Sequence, residues 1–360
     1  MLLVAVLLSS PNTQAGKNKQ ADKPKQPVEE MNVYRLEFDN DTFVGSDDGF
    51  SAGWSFQRHS RTYDTWDDGK RNRLSRWIAK AVPGLGDDGE GGRRVRLSMG
   101  LSQIIQTPEA IENPDFQPAD ISWAGALGFH WTWQSVSQKR LNAFQIYLGC
   151  GGECSGAEQV QTFIHDDLGG GTPPEGWDNQ LDTQGHINLN YTARRKLAAS
   201  KNVGVRGWSA DFAVGGQFAA GTLFTLAELQ PELRFGFRLP EGFTHLPDAA
   251  GRGVVMEPTP QAAPGGWAFY FSLVPRVTYF VDIWFFEPGD TVNGNRHPGV
   301  DYDDAAFQTL LGIHIARKRF ALRLTYYYFP SEVSEPAVPQ AGNPTEATQA
   351  WANISLEYRW

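Results

Sequence analysis

The 360-residue sequence predicts an all-β chain: a transmembrane antiparallel β-barrel of about twelve strands with a short helix in its third outer loop. Three observations lead there. Mean hydropathy is −0.41 and the only long apolar run is Leu2 to Leu8. That run falls far short of the ~20 residues a membrane-spanning helix needs. Trp 12, Tyr 11, Phe 22 and Gly 38 make the chain aromatic and glycine-rich, a composition that suits strands and argues against disorder. The C-terminus, Trp351-Ala-Asn-Ile-Ser-Leu-Glu-Tyr-Arg-Trp360, alternates strictly: Ala352, Ile354, Leu356, Tyr358 and Trp360 share one face, Asn353, Ser355, Glu357 and Arg359 the other. A last strand ending in an aromatic suits the interfacial girdle of a membrane barrel.

Taken in chain order, residues 1–15 read as a signal peptide, with an apolar core and small residues, Thr13 and Ala15, at the −3 and −1 positions before Gly16. Residues 16–31 are rich in Lys, Gln and Pro and read as a flexible periplasmic leader. The barrel occupies 32–360. Alternating stretches recur near 33–41, 50–59, 94–104, 122–133, 142–150, 184–194, 206–217, 231–238, 268–281, 305–315, 319–328 and 351–360. Phe50, Ala52, Trp54 and Phe56, for example, alternate with Ser51, Gly53, Ser55 and Gln57. The count is even, each stretch is near the ~9–11 residues of a tilted membrane strand, and closure leaves no unpaired edge in lipid.

Parity gives orientation. With a periplasmic N-terminus the first strand runs outward, so odd connections are extracellular. The short links at 134–141, 195–205 and 316–318 then fall inside, and the long segments at 105–121, 151–183, 282–304 and 329–350 fall outside, as barrels prefer. Two long connections, 60–93 and 239–267, break that rule. The first holds Leu74-Ser-Arg-Trp-Ile-Ala-Lys-Ala-Val82, expected as a short amphipathic helix on the inner leaflet surface. The formal charge of −9 argues against a nucleic-acid partner, which would require a basic face. The expected partner is the membrane, and the expected state a monomer.

The first outer hairpin carries Asp39-Asn40-Asp41 and then Asp47-Asp48-Gly49-Phe50-Ser51. Asn, Asp and Gly are ordinary turn formers, but their oxygens are also hard ligands suited to Ca²⁺. Antiparallel pairing places Asp41 near Ser51 at the outer rim. In the third outer loop, Ala157 to Leu168 contains strong helix formers and no Gly or Pro, and Gly169-Gly-Gly171 ends it. Gln161 and His165 are four apart and share a helix face. A histidine is the commonest general base near neutral pH. No Gly-x-Ser-x-Gly elbow supports a serine nucleophile. Cys150 and Cys154 are too few for a structural zinc site and are either a disulfide or two free thiols.

Together these residues resemble the lipid A 3′-O-deacylase family of outer-membrane barrels. The matching motifs are Asn40-Asp41, the strand entry Asp47 to Gly53, Gln103 to Pro108, Ala124-Gly125, Gln161 to His165, and Gly176-Trp177-Asp178-Asn179-Gln180. The resemblance implies a twelve-stranded barrel with a calcium-dependent esterase site between the wall and the third-loop helix. It implies that His165 activates water and that Asn40, Asp41 and Ser51 form the calcium and oxyanion side, with Asn40 and Asp41 as metal ligands. Gln161 and Glu175 would contact substrate. The activity implied is removal of the 3′-linked acyloxyacyl group of lipid A in the outer leaflet. Three departures stand out. Glu175 lies four residues later than the family's glutamate, and no tyrosine follows it closely. Ser51 occupies the place of a family threonine, and the second outer loop, Glu109-Ala-Ile-Glu-Asn-Pro-Asp-Phe116, offers no counterpart of a family lysine. The competing readings are a porin or scaffold barrel, whose conduction a lumen-filling third-loop helix would oppose, and an outer-membrane phospholipid esterase.

Overall fold

The computed structural model describes residues 31–40, 50–67, 73–86, 93–167, 172–204, 206–248, 266–300, 302, 304–328 and 350–360; at Phe50, Ser51 and Asp167 it describes the backbone alone. The expected signal peptide and nearly all of the leader, together with Asp41, lie outside the described residues.

The wall strands are Val33–Asn40 (β1), Phe50–His59 (β2), Arg94–Gln106 (β3), Ala124–Val136 (β4), Arg140–Gly151 (β5), Gln184–Lys201 (β6) and Trp208–Gly221 (β7). Next comes β8, built from Phe224–Leu229 and Glu232–Phe237. Then follow Trp267–Ile283 (β9), Ala305–Arg317 (β10), Phe320–Tyr328 (β11) and Ala350–Arg359 (β12). Both halves of β8 pair with β7 on one side and β9 on the other, so they form one strand of the wall. Pro231, which has no N–H to give a ladder, sits in the break between them. Neighbours pair antiparallel around the ring, and β1 closes on β12 from Val33↔Arg359 to Asn40↔Ala352. The result is a closed barrel of twelve strands. Every expected strand is present; the eighth begins at Phe224 rather than near 231, so its hairpin to β7 shrinks to Thr222-Leu223.

Two rims follow from the topology. The near rim holds the start of β1 and the end of β12; the far rim holds the connection from β1 to β2 and every second one after it. Side chains alternate across the wall. Outward positions such as Phe56, Phe129, Leu148, Phe218, Phe271, Ile313 and Leu356 are exposed and form an apolar belt. Inward positions are polar and buried.

The lumen is packed. Arg35 donates to Glu357 at 2.9 Å, and Arg323 meets the same carboxylate at 2.5 Å. Gln57 and Ser55 donate to Glu37, each at 2.8 Å. Arg234 bonds Asp211 at 2.9 and 2.7 Å. The connection from β8 to β9 enters this space rather than staying at the near rim: Phe243, Thr244, His245 and Leu246 are all buried. Arg194 donates to the Thr244 carbonyl at 3.0 Å, Thr244 N–H donates to Glu232 at 2.7 Å, and Tyr327 donates to the Pro247 carbonyl at 2.7 Å. His245 lies between Arg35, 2.9 Å from Nδ1, and Glu37 at Nε2. Inward charges need partners in a dry interior, and this segment supplies several of them. That accounts for one of the two parity exceptions, the connection at 239–267.

The other exception, the connection at 60–93, holds the helix α1, Arg73–Ala81, at the near rim. Ser75, Ile78 and Ala79 are buried against Val95 and Trp133, two outward-facing wall residues, and Trp133 donates its indole N–H to Ser75 at 3.0 Å. Leu74 and Trp77 remain exposed. The helix is therefore clamped to the outside of the wall with an apolar face turned away from it.

Candidate active site on the outer wall

The far rim carries a second outward-docked helix, α2, Ala157–Thr162, followed by a widened π turn over Phe163–Asp167. It does not enter the lumen. Ala157 and Val160 pack on Ala52, Ile105, Ile111, Trp123 and Trp177. The register explains the seat. Ala352, Asn40, Ala52, Ile105 and Gly125 face each other in sequence across β12, β1, β2, β3 and β4. Alternation turns this row outward, because Asp39 beside Asn40 is buried inside while Phe38 is exposed. Three of the five side chains are Ala or Gly, so the row is a shelf low enough for a helix. At Gly125 a Cβ would overlap the Ala157 methyl and the Ser155 hydroxyl, so the close approach requires glycine.

Several tethers hold α2 there. Gln103, outward on β3, donates to the Ser155 carbonyl at 2.7 Å and accepts the Trp54 indole N–H at 2.6 Å. A Cys150–Cys154 disulfide ties the end of β5 to the turn before the helix, settling the two alternatives for those residues. Trp177 donates to the Gln161 side-chain oxygen at 2.9 Å and meets Trp123 edge-on at 5.0 Å. Neighbouring loops interlock with this one. Glu175 N–H donates to the Ile111 carbonyl at 2.8 Å, Asn179 to the Pro114 carbonyl at 2.9 Å, and Asp182 N–H to the Asp290 carbonyl at 2.8 Å. His297 packs edge-on against Phe116 at 5.9 Å, and burial pushes its imidazole below the ordinary histidine range. The described loops after β3, β5 and β9 thus interlock at the far rim.

The sequence-derived site residues fall as follows. Asn40 closes the outward row of β1, directly opposite Ala52. Ser51 lies one residue before Ala52 in β2, where the register to β3 slips. His165 sits on the widened turn at the end of α2, half-buried, with Nδ1 shielded and without a hydrogen-bond partner. Gln161 is 3% exposed and committed to Trp177, while Glu175 is exposed on the following loop. So α2 packs on the β2 and β3 members of the outward row whose β1 member is Asn40. Among the described residues no cluster of three or more His, Cys, Asp or Glu gathers to hold a metal. Asn40 is the member of the expected calcium set whose side chain is described. The sequence singles out Gln103 only as the start of a family motif, not as a tether of α2, and it does not point to Trp123.

A closed twelve-stranded antiparallel barrel, apolar outside and polar within, is the architecture of an outer-membrane protein. The chain belongs to the LpxR family: the family model described as outer membrane protein LpxR matches residues 1–360. This is the family that the sequence motifs resemble. Among solved structures, LpxR from Salmonella typhimurium is similar at a TM-score of 0.66 and 14% identity, over 91% of this chain and 99% of that one. The β domain of the Bordetella autotransporter BrkA aligns at a TM-score of 0.40 and 10% identity, over 91% of this chain and 99% of that one. No curated protein sequence matches.

Proposed function

We propose that this barrel is a calcium-dependent ester hydrolase that removes the 3′-linked acyloxyacyl group of lipid A, acting as a monomer with its far rim at the extracellular side. One observation carries the reading: α2 docks on the outward shelf beside Asn40 and ends in an imidazole whose Nδ1 has no partner. A site on the outside of the wall opens sideways onto lipid. An acyl chain can reach it without leaving the membrane, which suits a lipid substrate better than a soluble one.

In this reading His165 accepts a proton from water as the water oxygen attacks the ester carbonyl. The ester C–O bond then breaks, the imidazolium returns its proton to the sugar 3′-oxygen, and a hydroxyl and a free fatty acid result. General-base help of this kind contributes about 10²–10⁴-fold. The side chains of Asn40, Asp41 and Ser51 offer oxygen donors, a chemistry that fits calcium, and Asn40 and Asp41 would hold it. Bound calcium would supply positive charge for the developing oxyanion. Gln161, engaged by Trp177, would position the turn that carries His165, and Glu175, which is exposed, would meet the sugar head group.

The test is mass analysis of lipid A after incubation with purified protein, with calcium or with chelator. Loss of the 3′ acyl groups with calcium alone is expected; an intact acyl pattern in both arms overturns the proposal. Hydrolysis of phosphatidylethanolamine with lipid A left intact would make the protein a phospholipid esterase instead. The packed lumen speaks against a porin.

A further inference from the structure

The near rim holds a feature that ester hydrolysis does not use. On the outer wall a groove of about 940 Å³ runs across β9, β10, β11, β12, β1 and β2. Its floor is apolar and aromatic, including Tyr34, Phe56, Phe320, Leu356 and Tyr358. Phe320 is 63% exposed and Leu356 48% exposed. Its edge is basic. Arg317, Lys318 and Arg319 line it from the two-residue turn between β10 and β11, and Arg58 stands outward opposite Tyr34. All four cations are exposed, and none pairs with a carboxylate among the described residues. Arg317 lies over the Trp267 ring at 4.7 Å, which holds its guanidinium at the groove mouth. Lys318 adopts φ 52°, where glycine would be least strained, so the turn keeps a charged side chain at a conformational cost.

An apolar trough that continues the lipid-facing belt, ending in cations with no carboxylate partner among the described residues, matches an amphiphile with acyl chains and a phosphate. We propose that this groove binds an anionic glycerophospholipid of the periplasmic leaflet, its phosphate on Arg317, Lys318 and Arg319 and its chains along the aromatic floor. The assignment to that leaflet rests on the sidedness proposed above. Neutral lipids would fill the trough without engaging its edge, and a second protein chain would leave the cations facing hydrocarbon.

Native mass spectrometry of the whole protein in detergent, titrated with equal phosphatidylglycerol and phosphatidylethanolamine, tests the site. The wild type should retain phosphatidylglycerol several-fold over phosphatidylethanolamine. The double variant K318E/R319E should lose that preference, while K139E, on a near-rim turn away from the groove, should keep it. Heat-modifiable gel mobility reports that each variant folds. Equal retention of both lipids by the wild type, an unchanged preference in K318E/R319E, or stronger retention of lipid A than of phosphatidylglycerol would each overturn the proposal. K318E/R319E should still deacylate lipid A. A protein that retains phosphatidylglycerol but leaves lipid A intact fails the hydrolase reading alone. Labelling of Lys318→Cys from outside intact cells would reverse the sidedness and remove the leaflet assignment.

Discussion

Two imidazoles separate the two polar regions of this barrel. His245 is fully buried in the lumen, with Arg35 at one ring nitrogen and Glu37 at the other. His165 lies outside the wall at the end of α2, half-buried, with Nδ1 unpartnered. The lumen ring is held by charges from β1 and so serves structure. The outer ring is left with an unused lone pair or proton, which is what a group that moves protons requires.

The sharpest way to break that contrast is to exchange the fates of the two rings. His165→Ala should lower lipid A deacylation by about 10²–10⁴-fold with the barrel folded, whereas His245→Ala should leave activity per folded molecule unchanged. Mass analysis and heat-modifiable mobility on the same samples decide it; equal losses would erase the distinction. Glu357→Ala probes the lumen side, because it strands Arg35, Arg323 and Arg359 without their shared carboxylate. It should cost about 3–5 kcal/mol of stability, read by thermal unfolding in detergent, without changing turnover of the folded fraction. Gly125→Val probes the shelf. It would push α2 off β4, and a displacement of about 1 Å can cost roughly 10²-fold in rate; full activity would mean the helix does not need its seat. The smallest effect is expected for Cys150→Ser, which opens a short covalent loop and should cost no more than about 2 kcal/mol. A planar bilayer should show no steady conductance for the wild type, since the lumen side chains meet one another.

Much of this was legible in the residues. Alternation exposed all twelve strands because one face meets lipid and the other a polar interior, and the count fixed both rims. The eighth strand was cut short because Pro231 interrupts it and Phe224 to Leu229 lacks a clean two-residue period. The lumen insertion at Phe243–Leu246 was illegible for a different reason. Its partners, Glu232, Arg194, Arg35 and Glu37, lie on distant strands, and no local period announces a segment that folds inward to meet them. The sequence pattern predicts a third-loop helix over Ala157–Leu168; the α-helix stops at Thr162 and widens into the turn Phe163–Asp167, and it lies outside the wall, which no local pattern announces. That placement depends on the small outward row Ala352, Asn40, Ala52 and Gly125, visible once register is known.

The inserted segment also constrains the order of assembly. His245 touches Arg35 and Glu37 on the first strand, while Glu357 on the last strand reaches the same Arg35. The seam where the two chain ends meet is therefore latched from within by a piece of polypeptide made well before the final strand. That piece has to be in place before the ring zips shut, or the seam would close over unmatched charge. Biogenesis of this protein should accordingly stall when the segment is removed, even though every wall strand is left intact.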